Sequence, residues 1–149
     1  MREVSLDELS ELVGQEVGVS DWLLIDQDRI NKFAGATGDF QWIHVDVERA
    51  HREACGPIAH GYLTVSLIPM LAQQILRVRE VVRGINYGSN RVRFIAKVKV
   101  NTRVRLRQKL LEFERRACGA RVVYECTIEI EGEAKPACVA EIIGVLFDR

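Results

Sequence analysis

Hydrophobic and polar residues follow two different periods, and the change divides the chain into a helical first half and a strand-rich second half. Residues 3–13 have the spacing of a short amphipathic helix, with Ser5 in position to cap it. Residues 15–25 lack that spacing and favour an extended chain. The apolar face of the first helix would consist of Leu6, Leu9, Leu12 and Val13.

A second helix has signals at both of its ends. Asp26 is of a residue type that caps helix N-termini, and Ile25 and Ile30 occupy the two positions of a hydrophobic staple around it. Gly38 suits the left-handed conformation in which many helices end. The pattern therefore predicts that Asp39 carries the first side chain beyond this helix, and that the chain from there to His44 is irregular.

Two further helical segments follow. Asp46 has the position of a cap for a short helix over residues 47–55, which the next Gly-Pro pair would stop. Residues 59–78 form the most apolar segment, and its large side chains cover nearly every direction of a helical wheel. Such a pattern indicates a helix that is buried all round, and Pro69 predicts a kink one turn before it.

After residue 80 the period becomes two, which is typical of strands. A hairpin folded about Ala117 would bring opposite charges together across two strands, each pair stabilising the sheet by roughly 0.2–1 kcal/mol. These charged pairs are Arg103 with Glu131, Arg105 with Glu129, and Lys109 with Glu125. The same register aligns apolar pairs, Val104 with Ile130 and Leu106 with Ile128. Because both faces agree, the sequence predicts this register.

These elements predict an α+β architecture in one domain over residues 1–149. A sheet with one apolar face must bury that face, and the 59–78 helix is the only element apolar enough to cover it. We therefore expect a curled antiparallel sheet wrapped around a long buried helix. The composition agrees, since 48% of the 149 residues are hydrophobic.

Charge and cysteine usage narrow the class of protein. Lys plus Arg and Asp plus Glu both number 21, so the net charge is zero and favours neither a nucleic-acid nor a membrane partner. The uncharged stretch over residues 54–76 is broken by proline, glycine and glutamine, which favours a buried helix over a membrane span. The four cysteines form no CxxC pair, and no secretory signal precedes the first helix. We therefore expect a cytoplasmic protein with reduced thiols.

The candidate chemistry lies in "GDFQWIH" (residues 38–44) and "GPIAHGYLT" (residues 56–64). Asp39 and His44 can converge across a short loop, and a carboxylate beside an imidazole is the minimal acid–base pair. Gly61 would begin the buried helix, where an amide without an intrahelical partner could bind a carbonyl oxygen that gains charge. Asp39 could instead be only a loop or capping residue. His44 could be a half-buried histidine whose hydrogen bonds are satisfied, and His60 could merely cap its helix.

Apolar and aromatic residues surround this pair. We expect the substrate-binding surface to include Phe40, Trp42, His60 and Tyr62. A metal site would have to use His44, Asp46, His51 and either Cys55 or His60, but no HExxH or paired CxxC motif frames them. The sequence thus predicts no metal and no other cofactor. Ser66 and Cys55 lack the context of a nucleophile elbow, which disfavours covalent catalysis.

The two motifs, in this order, resemble those of the MaoC-like dehydratases, which include the R-specific enoyl-CoA hydratases called hydratase 2. The resemblance implies a hot-dog fold, an acyl-CoA thioester substrate and a homodimer. It also implies that Asp39 and His44 hold a catalytic water and that Gly61 binds the thioester oxygen. It leaves open which of the pair is acid and which is base.

Two positions depart from the family pattern. The usual Asn-Pro is Gln41-Trp42 here, as in a nodulation-protein-like subgroup, and Pro69 replaces a serine that helps some bacterial hydratases to hold the water. A hot-dog thioesterase and a non-catalytic acyl-thioester-binding module are the alternative functions. Coenzyme A phosphates need cations, for which Arg91, Arg93, Lys97 and Lys99 are candidates.

Overall fold

An antiparallel sheet of six strands dominates the structure, a computed structural model that describes residues 1–149. Its strand order is β2-β6-β7-β8-β5, and β3 also pairs with β6. Two short strands, β1 and β4, form a separate parallel pair. The strands are β1 (Arg2–Val4), β2 (Glu16–Val19), β3 (Leu23–Ile25), β4 (Leu76–Val78), β5 (Arg83–Phe94), β6 (Thr102–Arg116), β7 (Gly119–Ile130) and β8 (Cys138–Phe147).

Six helices lie between β1 and β4. They are α1 (Leu6–Ser10), α2 (Gln27–Thr37), α3 (Trp42–Val45), α4 (Val47–Ala54), α5 (Gly61–Ser66) and α6 (Ile68–Ala72). One cluster of buried apolar side chains joins the helices to the sheet, so the chain folds around a single core. None of the helices has the length and apolar character that crossing a membrane requires.

The predicted hairpin register is confirmed. Strands β6 and β7 pair antiparallel, and four of the five predicted cross-strand pairs lie in their register. The fifth pair is joined by a hydrogen bond from the amide of Glu131 to the backbone oxygen of Arg103 at 2.9 Å. The Nε atom of Arg105 donates to Glu129 at 2.6 Å, and that of Arg103 donates to Glu131 at 2.6 Å. A bulge between Leu110 and Glu112 then shifts the register by one residue, so the turn lies at Ala117 and its neighbour Cys118.

The second helix also begins and ends where the sequence predicts. Asp26 accepts a hydrogen bond from the amide of Arg29 at 2.9 Å, and Ile25 and Ile30 are fully buried. Gly38 adopts a left-handed φ of 79° directly after α2. A side chain would be strained in this conformation, so glycine fixes the point at which the chain leaves the helix.

The first helix is shorter than predicted. Ser5 and Glu8 form a capping box, which fixes the helix start at Leu6. The residues before Ser5 are extended and pair with β4, so the prediction of a helix from residue 3 was wrong. Val13 lies beyond the helix and is 44% exposed, whereas Leu6, Leu9 and Leu12 are buried as expected.

The apolar segment over residues 59–78 is not one long helix. It contains α5 and α6, which meet at Leu67, and the chain is a strand again from Leu76. The break fits Pro69, which lacks the amide hydrogen that would continue the helix. The expectation of burial all round was also wrong, because Tyr62 is 69% exposed and Met70 38% exposed. Only the face that packs on the sheet is buried.

The cysteines agree in part with the expected core thiols. All four are free, and Cys126 and Cys138 are buried in the sheet. Cys55 and Cys118 are exposed. Cys55 follows α4 with a left-handed φ of 61°, so it ends that helix in place of the expected Gly56.

Candidate active site

A cavity of about 360 Å³ opens beside the start of α5. Its wall is mostly apolar, and His44 and Lys97 are the only residues in it with a titratable side chain. The segment just after β5 closes one side. Residues that line the cavity include His44, Ile58, Gly61, Thr64, Phe94 and Lys97.

The structure brings Asp39, His44 and His60 together next to this cavity. One carboxylate oxygen of Asp39 and one ring nitrogen of each histidine all lie within 4.8 Å of one another. Asp39 follows Gly38, as predicted. His44 lies in the short helix α3, so the expectation of irregular chain there was wrong. The helical turn directs the imidazole into the protein, where His44 is only 6% exposed.

A backbone contact sets the tautomer of His44. Its Nδ1 lies 2.7 Å from the carbonyl oxygen of Ile58, which can only accept a hydrogen bond. Nδ1 must therefore carry the hydrogen, and in the neutral ring Nε2 keeps a free lone pair. The carbonyl of His44 accepts a second bond from the side chain of Gln27 at 2.7 Å. The histidine is thus fixed through both its ring and its backbone.

Burial lowers the pKa of His44 below its usual value, because the low-dielectric surroundings disfavour the charged ring. The hydrogen bond to Ile58 opposes this shift in the pKa, the neighbouring His60 adds to it, and Asp39 opposes it weakly. The net lowering of the pKa keeps His44 neutral near pH 7. A neutral imidazole with a free Nε2 lone pair is equipped to accept a proton.

His60 lies directly against His44. The two rings stack with centroids 3.8 Å apart and planes 24° from parallel, and Phe33 packs against His60 with ring centroids 4.9 Å apart. The Nε2 atom of His60 lies 3.0 Å from the backbone oxygen of Asp39 and 4.0 Å from its carboxylate. His60 occupies the N-cap position of α5, but its side chain makes no capping hydrogen bond.

Gly61 is the first residue of α5 and lines the cavity. Its amide hydrogen has no acceptor within the protein, which leaves it free for a ligand. A methyl group on this residue would lie 3.0 Å from the ring of Phe94. The close approach of Phe94 is a physical reason for glycine at this position.

The other residues expected to bind substrate lie outside the cavity wall in the single chain. Phe40 is 61% exposed. Trp42 is partly buried, and the guanidinium of Arg49 lies over its ring at 4.2 Å. Tyr62 is 69% exposed and contacts Phe94 edge-on, with ring centroids 5.5 Å apart. Their role in binding substrate stays a prediction.

The alternative metal set does not assemble. Asp46 caps α4 by accepting from the amide of Arg49 at 3.0 Å, and the thiol of Cys55 is exposed. The cluster of Asp39, His44 and His60 has the spacing of a metal site. However, Nε2 of His60 already donates to the backbone of Asp39, so this nitrogen has no lone pair for a metal. The arrangement suits proton transfer better.

Three neighbours of the site were not foreseen as part of it. Ile58 accepts from the ring of His44 through its backbone oxygen, and Gln27 donates from its side chain to the backbone oxygen of His44. Phe94 lies far along the chain on β5. A backbone carbonyl leaves no signal in the identity of its residue, so only the fold could reveal the contact at Ile58. The side chain of Gln27 was visible in the sequence, but its partner was not.

Comparisons with known proteins identify a family that matches this chain. The family model described as "MaoC like domain" matches residues 8–133. The chain is 49% identical over 144 residues to 3-hydroxyacyl-thioester dehydratase Z of Mycobacterium tuberculosis (strain ATCC 25618 / H37Rv), and the match covers 93% of each chain. It is 47% identical to Nodulation protein N of Rhizobium meliloti (strain 1021), covering 97% of this chain and 92% of that protein.

Solved structures agree with the architecture. The unliganded R-hydratase PhaJ1 from Pseudomonas aeruginosa superposes with a TM-score of 0.74 at 22% identity, covering 92% of this chain and 83% of that one. An (R)-hydratase from A. caviae involved in PHA biosynthesis gives a TM-score of 0.73 at 24% identity, covering 90% and 96%. At such low identity these likenesses establish the fold alone, and they confirm the expected hot-dog fold.

Proposed function

The chain belongs to the MaoC-like dehydratase family, and from that membership we propose that it hydrates a trans-2-enoyl thioester of coenzyme A to the (R)-3-hydroxyacyl thioester. The reverse reaction is a dehydration, and the enzyme is accordingly a hydro-lyase. One observation carries the proposal. A carboxylate oxygen of Asp39 and a ring nitrogen of each of His44 and His60 lie within 4.8 Å of one another, beside a cavity that is also lined by Gly61.

The name of the relative at 49% identity describes the same chemistry in the opposite direction, since a 3-hydroxyacyl-thioester dehydratase forms the enoyl thioester. The R hand of the product is what the resemblance of the two motifs to the R-specific hydratases implies. Adding water to a double bond conjugated to a thioester involves no change of oxidation state overall. The proposed reaction therefore requires no redox cofactor.

In the proposed mechanism, a single water molecule donates two hydrogen bonds. One goes to Nε2 of His44 and the other to the carboxylate of Asp39. As the water oxygen attacks Cβ, Nε2 takes one of its protons and the electrons of the double bond move onto the thioester oxygen. The imidazolium then returns the proton to Cα, and the carbonyl re-forms. The product gains a hydroxyl group at Cβ and a hydrogen at Cα, and the enzyme returns to its starting state.

The environment of His44 suits both proton steps. Burial lowers its pKa, so the ring is a free base before the reaction. The same burial makes the imidazolium a stronger acid, which favours return of the proton to Cα. The bond to the Ile58 carbonyl at 2.7 Å keeps Nδ1 out of the reaction throughout.

Gly61 supplies the hydrogen-bond donor for the developing enolate. Its amide has no protein acceptor and borders the cavity, so it can donate to the thioester oxygen. An oxyanion donor of this kind contributes about 2.7–4 kcal/mol to lowering the barrier in a studied protease. Lys97 lies in the same wall and is exposed, in a position to attract the phosphates of coenzyme A.

A homodimer is part of the proposal. Strand β5 pairs only with β8, so it is one edge of the sheet. This edge exposes large apolar side chains, with Ile85 at 51%, Tyr87 at 70% and Phe94 at 48%. Unpaired edges with apolar side chains invite pairing with another chain. Pairing there would cover the surface and bring a second chain close to Phe94 and Tyr62.

A two-channel assay with crotonyl-CoA tests the proposed function. Hydration removes the absorbance of the conjugated enoyl group while the thioester stays intact, whereas a thioesterase releases free coenzyme A thiol. We expect loss of enoyl absorbance without thiol release, and a product of R configuration by chiral analysis. Thiol release at the rate of substrate loss would support the thioesterase instead, and no change in either channel across acyl lengths would support the non-catalytic module.

A further inference from the structure

The shortest hydrogen bond that ties Asp39 to the protein interior comes from His60. Nε2 of His60 lies 3.0 Å from the backbone oxygen of Asp39. The other hydrogen bonds at Asp39 are longer, since its amide lies 3.4 Å from the hydroxyl of Thr37 and its carboxylate 3.4 Å from the amide of Gln41. The side chain of Asp39 is itself 55% exposed. Little else in the chain restrains this residue.

His60 is well suited to act as a rigid anchor. It is 3% exposed, and its ring contacts the rings of Phe33 and His44, with centroid distances of 4.9 and 3.8 Å. A buried planar ring in contact with two other rings has little freedom to rotate. The position of its Nε2 is therefore set by packing, and the backbone of Asp39 is set by Nε2.

The protonation of His60 follows from its two nitrogens. The backbone oxygen of Asp39 can only accept, so Nε2 carries a hydrogen. Nδ1 is buried and has no hydrogen-bond partner. A hydrogen on Nδ1 would be a buried donor without an acceptor, which is unfavourable, so the hydrogen belongs on Nε2. The only other titratable groups that face the ring are His44 and Asp39.

We propose that His60 is a positioning residue for the hydration reaction: through the hydrogen on Nε2 it holds the backbone of Asp39 so that the carboxylate meets the water opposite His44. This inference rests on the proposed function, because it assigns a purpose to the position of Asp39. His60 touches neither water nor substrate in this role. Loss of the anchor should therefore reduce kcat and leave KM nearly unchanged, since only the placement of a reacting group changes.

Two substitutions separate the hydrogen bond from the shape of the ring. His60→Gln keeps a donor near the position of Nε2 but removes the aromatic ring, and His60→Phe keeps a ring but removes the donor. His51→Gln is the matched control, because His51 is exposed on α4 and makes no hydrogen bond through its side chain. Circular dichroism and thermal unfolding establish that each variant is folded.

We expect His60→Gln to keep kcat within about three-fold of the parent, while His60→Phe loses at least about ten-fold, with KM within about two-fold in both. The control should match the parent. Equal losses in the two His60 variants, or full turnover in His60→Phe, would overturn the proposal.

A spectroscopic arm needs neither substrate nor a stable variant. Long-range proton–nitrogen NMR on the unsubstituted protein should show that Nε2 of His60 carries a hydrogen. The protein has three histidines, which makes the assignment tractable. An Nε2 without a hydrogen would overturn the proposal even if both variants fail to fold. An inactive parent protein would instead defeat the proposed function, and the nitrogen spectrum would still decide the state of His60.

Discussion

Nδ1 of His44 lies 2.7 Å from the carbonyl oxygen of Ile58, a residue 14 positions later in the chain. The contact joins the two motifs that hold the candidate chemistry, because Ile58 immediately precedes the "AHG" stretch that opens α5. It also fixes the hydrogen on Nδ1 and leaves Nε2 as the acceptor. The assignment of His44 as the base depends on this one backbone contact.

The pH dependence of turnover should report the lowered pKa of His44. Burial is the main cause of this shift. The ring therefore stays neutral at pH values somewhat below about 6.5, the ordinary pKa of histidine. We predict that kcat/KM for crotonyl-CoA is level near pH 7 and falls on the acid side with a midpoint below about 6.5. A profile that instead falls as the pH rises through neutrality would assign the histidine to the acid role.

The same shift makes folding stability depend on pH. The unfolded chain binds a proton at His44 at a higher pH than the folded chain does, so stability rises with pH across this window. As the pH falls through about 6.5 towards the pKa of the folded state, we expect the free energy of unfolding to decrease. Urea titrations of the parent and of His44→Gln should show a shallower slope in the variant over that window. Parallel curves would contradict the assignment.

Gly61→Ala should slow the reaction through a steric effect. The new methyl group would lie 3.0 Å from the ring of Phe94, so either the ring or the start of α5 must move. We expect kcat/KM to fall by about ten- to a hundred-fold, less than the loss of an oxyanion donor outright. Adding Phe94→Leu should restore part of the activity by making room.

Gly35→Ala is the matched glycine control for that experiment. Gly35 is exposed within α2, and an added methyl group there would meet no atom within 4 Å. The substitution should stabilise the fold by roughly 0.5–1 kcal/mol through helix propensity and leave turnover unchanged. Loss of activity in this variant equal to that of Gly61→Ala would show that the effect at Gly61 is not local.

The exposed edge strand predicts the oligomeric state. Tyr87 is 70% exposed and sits at a bulge in the pairing of β5 with β8. Light scattering after gel filtration should give twice the chain mass of 16.9 kDa for the parent and a shift towards the monomer for Tyr87→Glu. Val13→Glu, at a 44% exposed apolar residue beyond α1, should remain dimeric. A monomeric parent, or an unaffected Tyr87→Glu, would rule out this edge as the interface.

The sequence predicts the fold best where two independent patterns agree. The pairing of Val104 with Ile130 and of Arg105 with Glu129 satisfied opposite faces of the sheet at once, and the observed register is the predicted one. Helix α2 was equally predictable, because both of its ends are marked in the sequence. Asp26 caps its start from an extended conformation, and Gly38 ends it in a left-handed one. Such signals depend on neighbouring residues in the chain, so they can be recognised without knowing the tertiary packing.

The apolar segment shows where a pattern is insufficient. Its side chains are hydrophobic in all directions, but only one face packs on the sheet, and Tyr62 and Met70 remain exposed. Periodicity measures which side chains avoid water and does not say whether the same chain or another chain covers them. The length of the helix was also overestimated, since Pro69 allows a break that the wheel does not record.

The candidate site was predictable in its residue types and only partly in its geometry. Asp39, His44 and Gly61 stand out in the sequence because each belongs to a short motif. The helix that holds His44 does not, because its N-cap, Gln41, makes no side-chain capping bond and so gives no start signal. The anchoring of Asp39 by His60 depends on a backbone oxygen, which no residue pattern encodes.

The most direct test of the central claim is the turnover of crotonyl-CoA by Asp39→Asn and His44→Gln. Asp28→Asn and His51→Gln serve as matched controls, since both residues are exposed and lie on other helices. We predict that each site variant stays folded and loses about 10²–10⁴-fold in kcat, as removal of a positioned acid–base group does, while the controls keep the parent rate. Near-parental kcat in either site variant would contradict the account.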